Sequence, residues 1–371
     1  MIGEKRMTIS NLPDPHNDVA KKQHIVPRTY TKSWSPDEKH VYTFNKLEKI
    51  PSIRFPYMTK INYIRNTYDI LPGDYFTPVE ALKDIFGFLD DYRIEYGGNK
   101  LSSRKELNEN YKNFDSWTII KPNGDFVTEE EKDQIKVALK EARYPFTEKA
   151  WNTKYENGWN SFATDLERRL RNAITFEKNE GTDKITSDTL SMVIEYYLMF
   201  DFRSESRNEF IDNCINDTLK PLQNVLPEVD DILPVKDRIH MDEDTYTKQV
   251  RGNLYRKAFY KFLYSGSGYI KTTLDKYRQM FEIHFILTEP TYPFITSNNP
   301  AFTHTYEDGK KENVFIALPT LAIMMGKGDN GKFIVSNADR AKVDRLNKIV
   351  YQDNDVMILP SDAFDLKRVQ N

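Results

Sequence analysis

The stretch TSDTLSMVIEYYLMFDFRSESR, residues 186–207, limits what this chain can fold into more than any other segment. Leu190, Val193, Ile194, Tyr197 and Leu198 recur at three- and four-residue spacing, which predicts a helix that buries a broad apolar stripe. Such a helix needs a large core around it. The composition supplies one, because 371 residues that are 39% hydrophobic and 13% aromatic are globular rather than disordered. Arg203 and Arg207 stand one turn apart at the end of the stretch. They read either as surface residues paired with Glu205 or Glu209 or as an anion clamp, and the commonness of helix-end charges favours the surface pairing.

The predicted helix lies within a mostly helical region from about Thr77 to Arg207. That region opens after the turn Leu71-Pro72-Gly73-Asp74, with Thr77 as cap and Pro78 in the first turn. Thr128 with Glu131 forms a second capping box. Cys214, the single cysteine, reads as a small buried residue on a helix. After the middle, Phe281–Leu287, Phe294–Thr296, Val314–Ala317, Ala322–Met325 and Lys348–Leu359 are expected as strands, with the polar knot Ser297-Asn298-Asn299-Pro300 between two of them. His40 to Phe44 alternates like another strand. The predicted class is α+β: a mixed or antiparallel sheet built from N-terminal and C-terminal strands, around a mostly helical middle. The expected organisation is a loose leader over 1–18 and a single domain over 19–365, with 77–210 as a helical subdomain.

Charge is distributed unevenly. The whole chain carries −3, which excludes a general polyanion binder, yet residues 21–65 hold ten Lys/Arg against three Asp/Glu, a local +7. A solvated basic face and an anion site both fit. One cysteine excludes an internal disulfide and any CxxC zinc site, and it agrees with a cytoplasmic setting. The longest apolar runs are short and broken by proline, so no membrane span is expected.

Within that basic segment, KKQHIVPRTYTKSW followed by VYTFNK resembles the start of the DUF4238 family, whose members open with His-x-Val-Pro and a strand. IEYYLMFDFRSESR resembles that family's arginine-terminated helix, PFITSNNPAF its Thr-Ser-Asp-Asn-Pro element, and FIALPTLAIMMG the proline-bearing strand that follows. The four matches are collinear from Lys21 to about Leu359. The resemblance implies a largely bacterial family of unknown function, and so a fold expectation without an activity. Gln23 stands where some members have a second histidine, and Asn298 where the aspartate is usual.

His24, Arg28, Arg203, Ser297, Asn298 and Asn299 are the candidate site. His-Ile-Val-Pro is similar to the HH-x-x-P of small His-metal finger nucleases, in which the histidine activates water. The downstream Ile50-Pro51-Ser52-Ile53-Arg54-Phe55-Pro56 is broken by proline and carries no His or carboxylate, which argues against a metal there. His24 then reads as a residue holding the Pro27 turn, as an anion ligand with Arg28, or as a catalytic group. The Ser-Asn-Asn-Pro knot fits a self-capping turn as well as it fits a ligand-binding strand end. Tyr57, Tyr63 and Tyr68, interleaved with Arg54, Lys60 and Arg65, suit core packing with extended basic side chains, or base stacking above a basic track. No P-loop, dinucleotide glycine motif or HExxH is present, the cofactor is left unknown, and the histidines do not cluster in spacing. Two functional classes stand: a nucleotide- or nucleic-acid-directed protein that could cleave phosphodiesters, and a non-enzymatic scaffold acting through a protein partner or self-association. Neither involves a membrane.

Overall fold

A computed structural model describes residues 22–24, 26–61, 63–65, 69–74, 77–142, 144, 150–175, 185–219, 245–328 and 332–370. The expected leader over 1–18, His16, His240 and Tyr68 lie outside the described residues, as do the side chains of His24 and Tyr63. The chain runs β1 (Lys22–His24), α1 (Arg28–Thr31), β2 (Tyr42–Asn45), β3 (Ile53–Arg54) and β4 (Tyr63–Arg65). It continues through α2 (Val79–Phe86), β5 (Arg93–Tyr96), β6 (Asn99–Leu101), α3 (Arg104–Glu109), β7 (Thr118–Ile120) and α4 (Glu129–Glu141). Among the described residues there follow α5 (Asn157–Thr175), α6 (Ser187–Phe202), α7 (Glu205–Leu219), α8 (Tyr246–Ser265) and α9 (Tyr269–Met280). The last part holds β8 (Phe281–Leu287), β9 (Thr296–Ser297), β10 (Ala301–Thr305), β11 (Lys311–Leu318), β12 (Leu321–Lys327), β13 (Phe333–Asn337), α10 (Arg340–Asp353), β14 (Val356–Leu359) and α11 (Lys367–Gln370). The fold is α+β.

Two compact units divide the chain. One comprises residues 1–23, 65–149 and 210–265; the other comprises 24–64, 150–209 and 266–371. In the first unit a small antiparallel sheet, β6-β5-β7, stands among the helices. The expected turn forms at Leu71–Asp74, with Gly73 at φ +87° and the Asp74 N–H donating to Leu71 O at 3.2 Å. The Thr128–Glu131 capping box forms as well. Thr77 does not cap α2: its hydroxyl donates to Asp74 O at 2.7 Å, and α2 starts at Val79 without a side-chain cap. Cys214 is on α7 but exposed rather than buried.

Among its described residues the second unit holds a five-stranded and a four-stranded sheet. The larger, β10-β11-β12-β8-β13, is antiparallel except for the β8–β13 pair. The smaller, β3-β2-β14-β9, joins N-terminal and C-terminal strands, as the sequence predicts. The stretch 348–359 is a correction: α10 continues to Asp353 and only Val356–Leu359 is a strand. Ile349 and Val350 favour strands, but Val343, Leu346, Asn347 and Val350 form a buried helical stripe that outweighs local propensity.

One face of the larger sheet packs on α5 and α6. Phe315 meets Phe200 at 5.3 Å and Trp159 at 5.6 Å between ring centroids, and the Tyr197 hydroxyl donates to Asn313 Oδ1 at 3.0 Å. The apolar helix that constrained the sequence is therefore covered by a sheet and by its own aromatic neighbours. Beyond it, Arg203 and Arg207 are another correction. The expected surface placement does not hold for Arg203. Arg203 is 1% exposed, and Arg207 forms an ion pair with the buried Asp201. The helix ends inside the core, so its terminal charges must find partners there.

Candidate functional site

The residues singled out in the sequence all belong to the second unit. His24 ends β1, which pairs with β4. Arg28 opens α1 and is exposed. Two turns of this segment are fixed by aromatics instead. The Tyr30 hydroxyl donates to Ile316 O at 2.5 Å and lies 2.6 Å from Thr296 Oγ1, so the threonine hydroxyl donates to the tyrosine oxygen. Trp34 Nε1 donates to Phe294 O at 3.0 Å. Arg203 places its guanidinium 4.5 Å above the Trp151 ring, which touches Phe200, and Phe200 in turn touches Tyr30. Tyr30 thus joins the aromatic cluster under Arg203 to Thr296, next to Ser297.

Ser297, Asn298 and Asn299 turn the chain from β9 of the small sheet into β10 of the large one. Ser297 Oγ accepts from the Asn299 N–H at 3.0 Å and donates to Asn299 O at 2.8 Å. The Asn298 N–H donates to Val356 O at 3.0 Å, and Ser297 is wholly buried. These are the bonds of a self-capped corner.

A cleft of about 630 Å³ lies on the other face of the larger sheet. Strand alternation builds its floor: Met324 and Ile334 stand opposite His284, and Gly326 opposite Glu282. Helix α10 forms a wall with Lys342, Arg345, Leu346 and Ile349, spaced by three and four residues so that all four share one side. Tyr306, Asp308, Lys310, Lys311, Glu312 and Lys327 complete the lining. The cleft thus holds five Lys/Arg against three Asp/Glu.

At one end, Glu312 accepts from Lys310 Nζ and from the Tyr306 hydroxyl, each at 2.7 Å. Burial raises the Glu312 carboxyl, but those two hydrogen bonds outweigh it and hold the group below the usual range. Tyr306 is pushed up to about 12, by burial first and then by Glu312. The Arg345 guanidinium lies 5.9 Å from the Tyr306 ring centroid, and the His304 ring meets Tyr306 edge-on at 4.6 Å. At the other end, Lys342 Nζ donates to Ser336 Oγ at 3.1 Å, and that oxygen lies 2.9 Å from His284 Nε2. Burial and then the Lys342 charge lower the His284 pKa, so its imidazole is neutral at pH 7. Lys342 can only donate, so the serine proton is directed to Nε2. Among the described residues, Lys311, Lys327, Lys342 and Arg345 form no ion pair.

The cleft was not anticipated from the sequence. His284 stood there only as one of several scattered histidines, and Lys342 and Arg345 lay beside a stretch expected to be a strand. The usable signals were the alternation in Phe281–Leu287 and the one-sided spacing of 342, 345, 346 and 349. Among the described residues no three His, Cys, Asp or Glu side chains gather as metal ligands, and no helix is long and apolar enough to cross a membrane. Searches of curated proteins and of solved structures found no match. A family model, described as a protein of unknown function, does match, and it covers residues 22–362 from the β1 strand to just beyond β14. The chain belongs to the DUF4238 family.

Proposed function

We propose that the cleft between α10 and the larger sheet binds a phosphorylated small molecule of nucleotide size. The observation that carries this reading is the set of four cations without carboxylate partners, Lys311, Lys327, Lys342 and Arg345, around a concave site. Its volume is in the range of ligand pockets. Unneutralised cations in a partly buried site favour an anion, and a guanidinium beside an ammonium suits phosphate oxygens. Neutral His284, with Nε2 occupied by Ser336, offers its Nδ1–H as a further donor.

Thermal shift is the direct test, because a ligand that binds only the folded state raises Tm. Inorganic phosphate and nucleoside mono- and diphosphates are expected to raise it, with the nucleotides acting at lower concentration. The Lys342→Gln/Arg345→Gln double variant should lose the shift while keeping the unliganded Tm within a few degrees. Absence of any shift with wild-type protein, or an undiminished shift in the double variant, rules the reading out.

A further inference from the structure

The N-terminal hairpin carries a second feature that the cleft does not use. Thr43 pairs with Arg54 across β2 and β3, and a bridge between His40 and Tyr57 extends the ladder. The pleat therefore puts His40, Tyr42, Phe55 and Tyr57 on one face. Their rings form a row: Tyr57 to His40 is 4.0 Å, His40 to Phe55 4.9 Å, and Phe55 to Tyr42 4.4 Å between centroids. Phe55 and Tyr57 are 42% and 49% exposed, so the fold leaves much of this aromatic surface to solvent.

The row is held in place before any partner arrives. Asp37 Oδ1 accepts the N–H groups of Lys39 and His40, at 2.9 and 2.8 Å, while Oδ2 lies 2.7 Å from His40 Nδ1. Cations surround it. Residues 28–61 contain seven Lys/Arg against three Asp/Glu in a chain of net charge −3. Among the described residues, Lys39, Lys49 and Lys60 form no ion pair, and Lys60 Nζ lies 5.8 Å from the Tyr57 ring centroid.

Pre-set rings inside a basic rim are complementary to a strand of unpaired bases on a phosphate backbone. We infer that this hairpin face binds single-stranded nucleic acid. Bases stack on the exposed parts of Phe55 and Tyr57, and Lys39, Lys49 and Lys60 meet the phosphates. A duplex hides its base faces and gains only the charge term. Leu47 and Ile50, in the turn between β2 and β3, are also exposed, so an anionic lipid surface is the competing partner to be tested.

The experiment is fluorescence anisotropy of the full chain with a labelled oligodeoxythymidine and an oligouridine, alongside a duplex of equal length and phosphatidylserine vesicles. Phe55→Ala and Tyr57→Ala are each expected to weaken single-strand binding by about tenfold, the size of one lost stacking contact. Both positions are exposed, so Tm should hold. Replacing Lys39, Lys49 and Lys60 together with Gln should flatten the plot of log affinity against log salt by about 2, or three phosphates at roughly 0.7 each. The Lys342→Gln/Arg345→Gln variant should bind the oligonucleotides as wild type does, which separates this face from the cleft. Equal affinity for duplex, unchanged affinity in both ring variants, or binding to vesicles without binding to oligonucleotides would overturn the inference.

Discussion

At the scale of single residues, His284 shows how position replaces motif. A lone histidine in a strand has no spacing signature, yet burial and Lys342 hold its pKa below the ordinary 6.5. The unfolded chain therefore takes up a proton first as pH falls. Folding stability should decline from about pH 6.5 down to the folded value and be flat above it with respect to this group. Urea midpoints at several pH values would show this, and His284→Gln should remove that part of the slope. A bound anion reverses the preference by favouring the imidazolium, so sulfate affinity should rise as pH falls through the same window in wild type and not in His284→Gln. Ser336→Ala tests the hydrogen-bond chain: imidazole ¹⁵N shifts should report loss of the single Nδ1–H tautomer. Arg203 teaches the complementary lesson. Its place at a helix end suggested the surface, but no local pattern says whether a helix ends in water or against Trp151.

At the scale of elements, the family signature is a fastening device in its described contacts. Tyr30 and Trp34, four residues apart on one side of a short helical segment, reach carbonyls of Ile316 and Phe294. Tyr30→Phe removes the donor to Ile316 O and leaves two buried groups short of a partner. It should lower stability by about 1–3 kcal/mol, measurable by chemical denaturation. The signature was legible because its residues are contiguous. Helix α6 was legible for the same reason, and so was the Leu71–Asp74 turn, where glycine supplies the positive φ. Helix α10 was misread over 348–353 because β-branched residues cluster at its end, and the stripe that stabilises it becomes apolar burial only once the sheet is present. The cleft was illegible in principle: its lining comes from five strand and helix segments whose register no short window contains.

At the scale of the molecule, each unit has its own buried electrostatics. In the first, Arg256 Nε and Asp74 Oδ2 are 2.9 Å apart, and both side chains are 1% exposed. Asp74 also accepts the Leu71 N–H, so this pair anchors the turn that precedes α2 to helix α8. Asp74→Ala breaks this buried ion pair and should lower the stability of that unit by about 3–5 kcal/mol. Hydrogen exchange would localise the effect: amides of α2 and α8 should exchange faster, while those of β8 and β12 should keep their protection. The α+β class was readable because the helical middle and strand-rich end differ in period. The division into units was not, because each is assembled from three separate stretches of chain.

The position of β14, between β2 and β9, sets a timetable for synthesis on the ribosome. The β2–β3 hairpin emerges before the strand that links it to β9, and Tyr30 waits for a partner 266 residues downstream. Until those downstream segments emerge the hairpin presents an unpaired edge and Tyr30 and Trp34 lack their carbonyls. A nascent chain of this design keeps strand edges and apolar surface exposed for longer than one whose sheets are built from neighbouring strands.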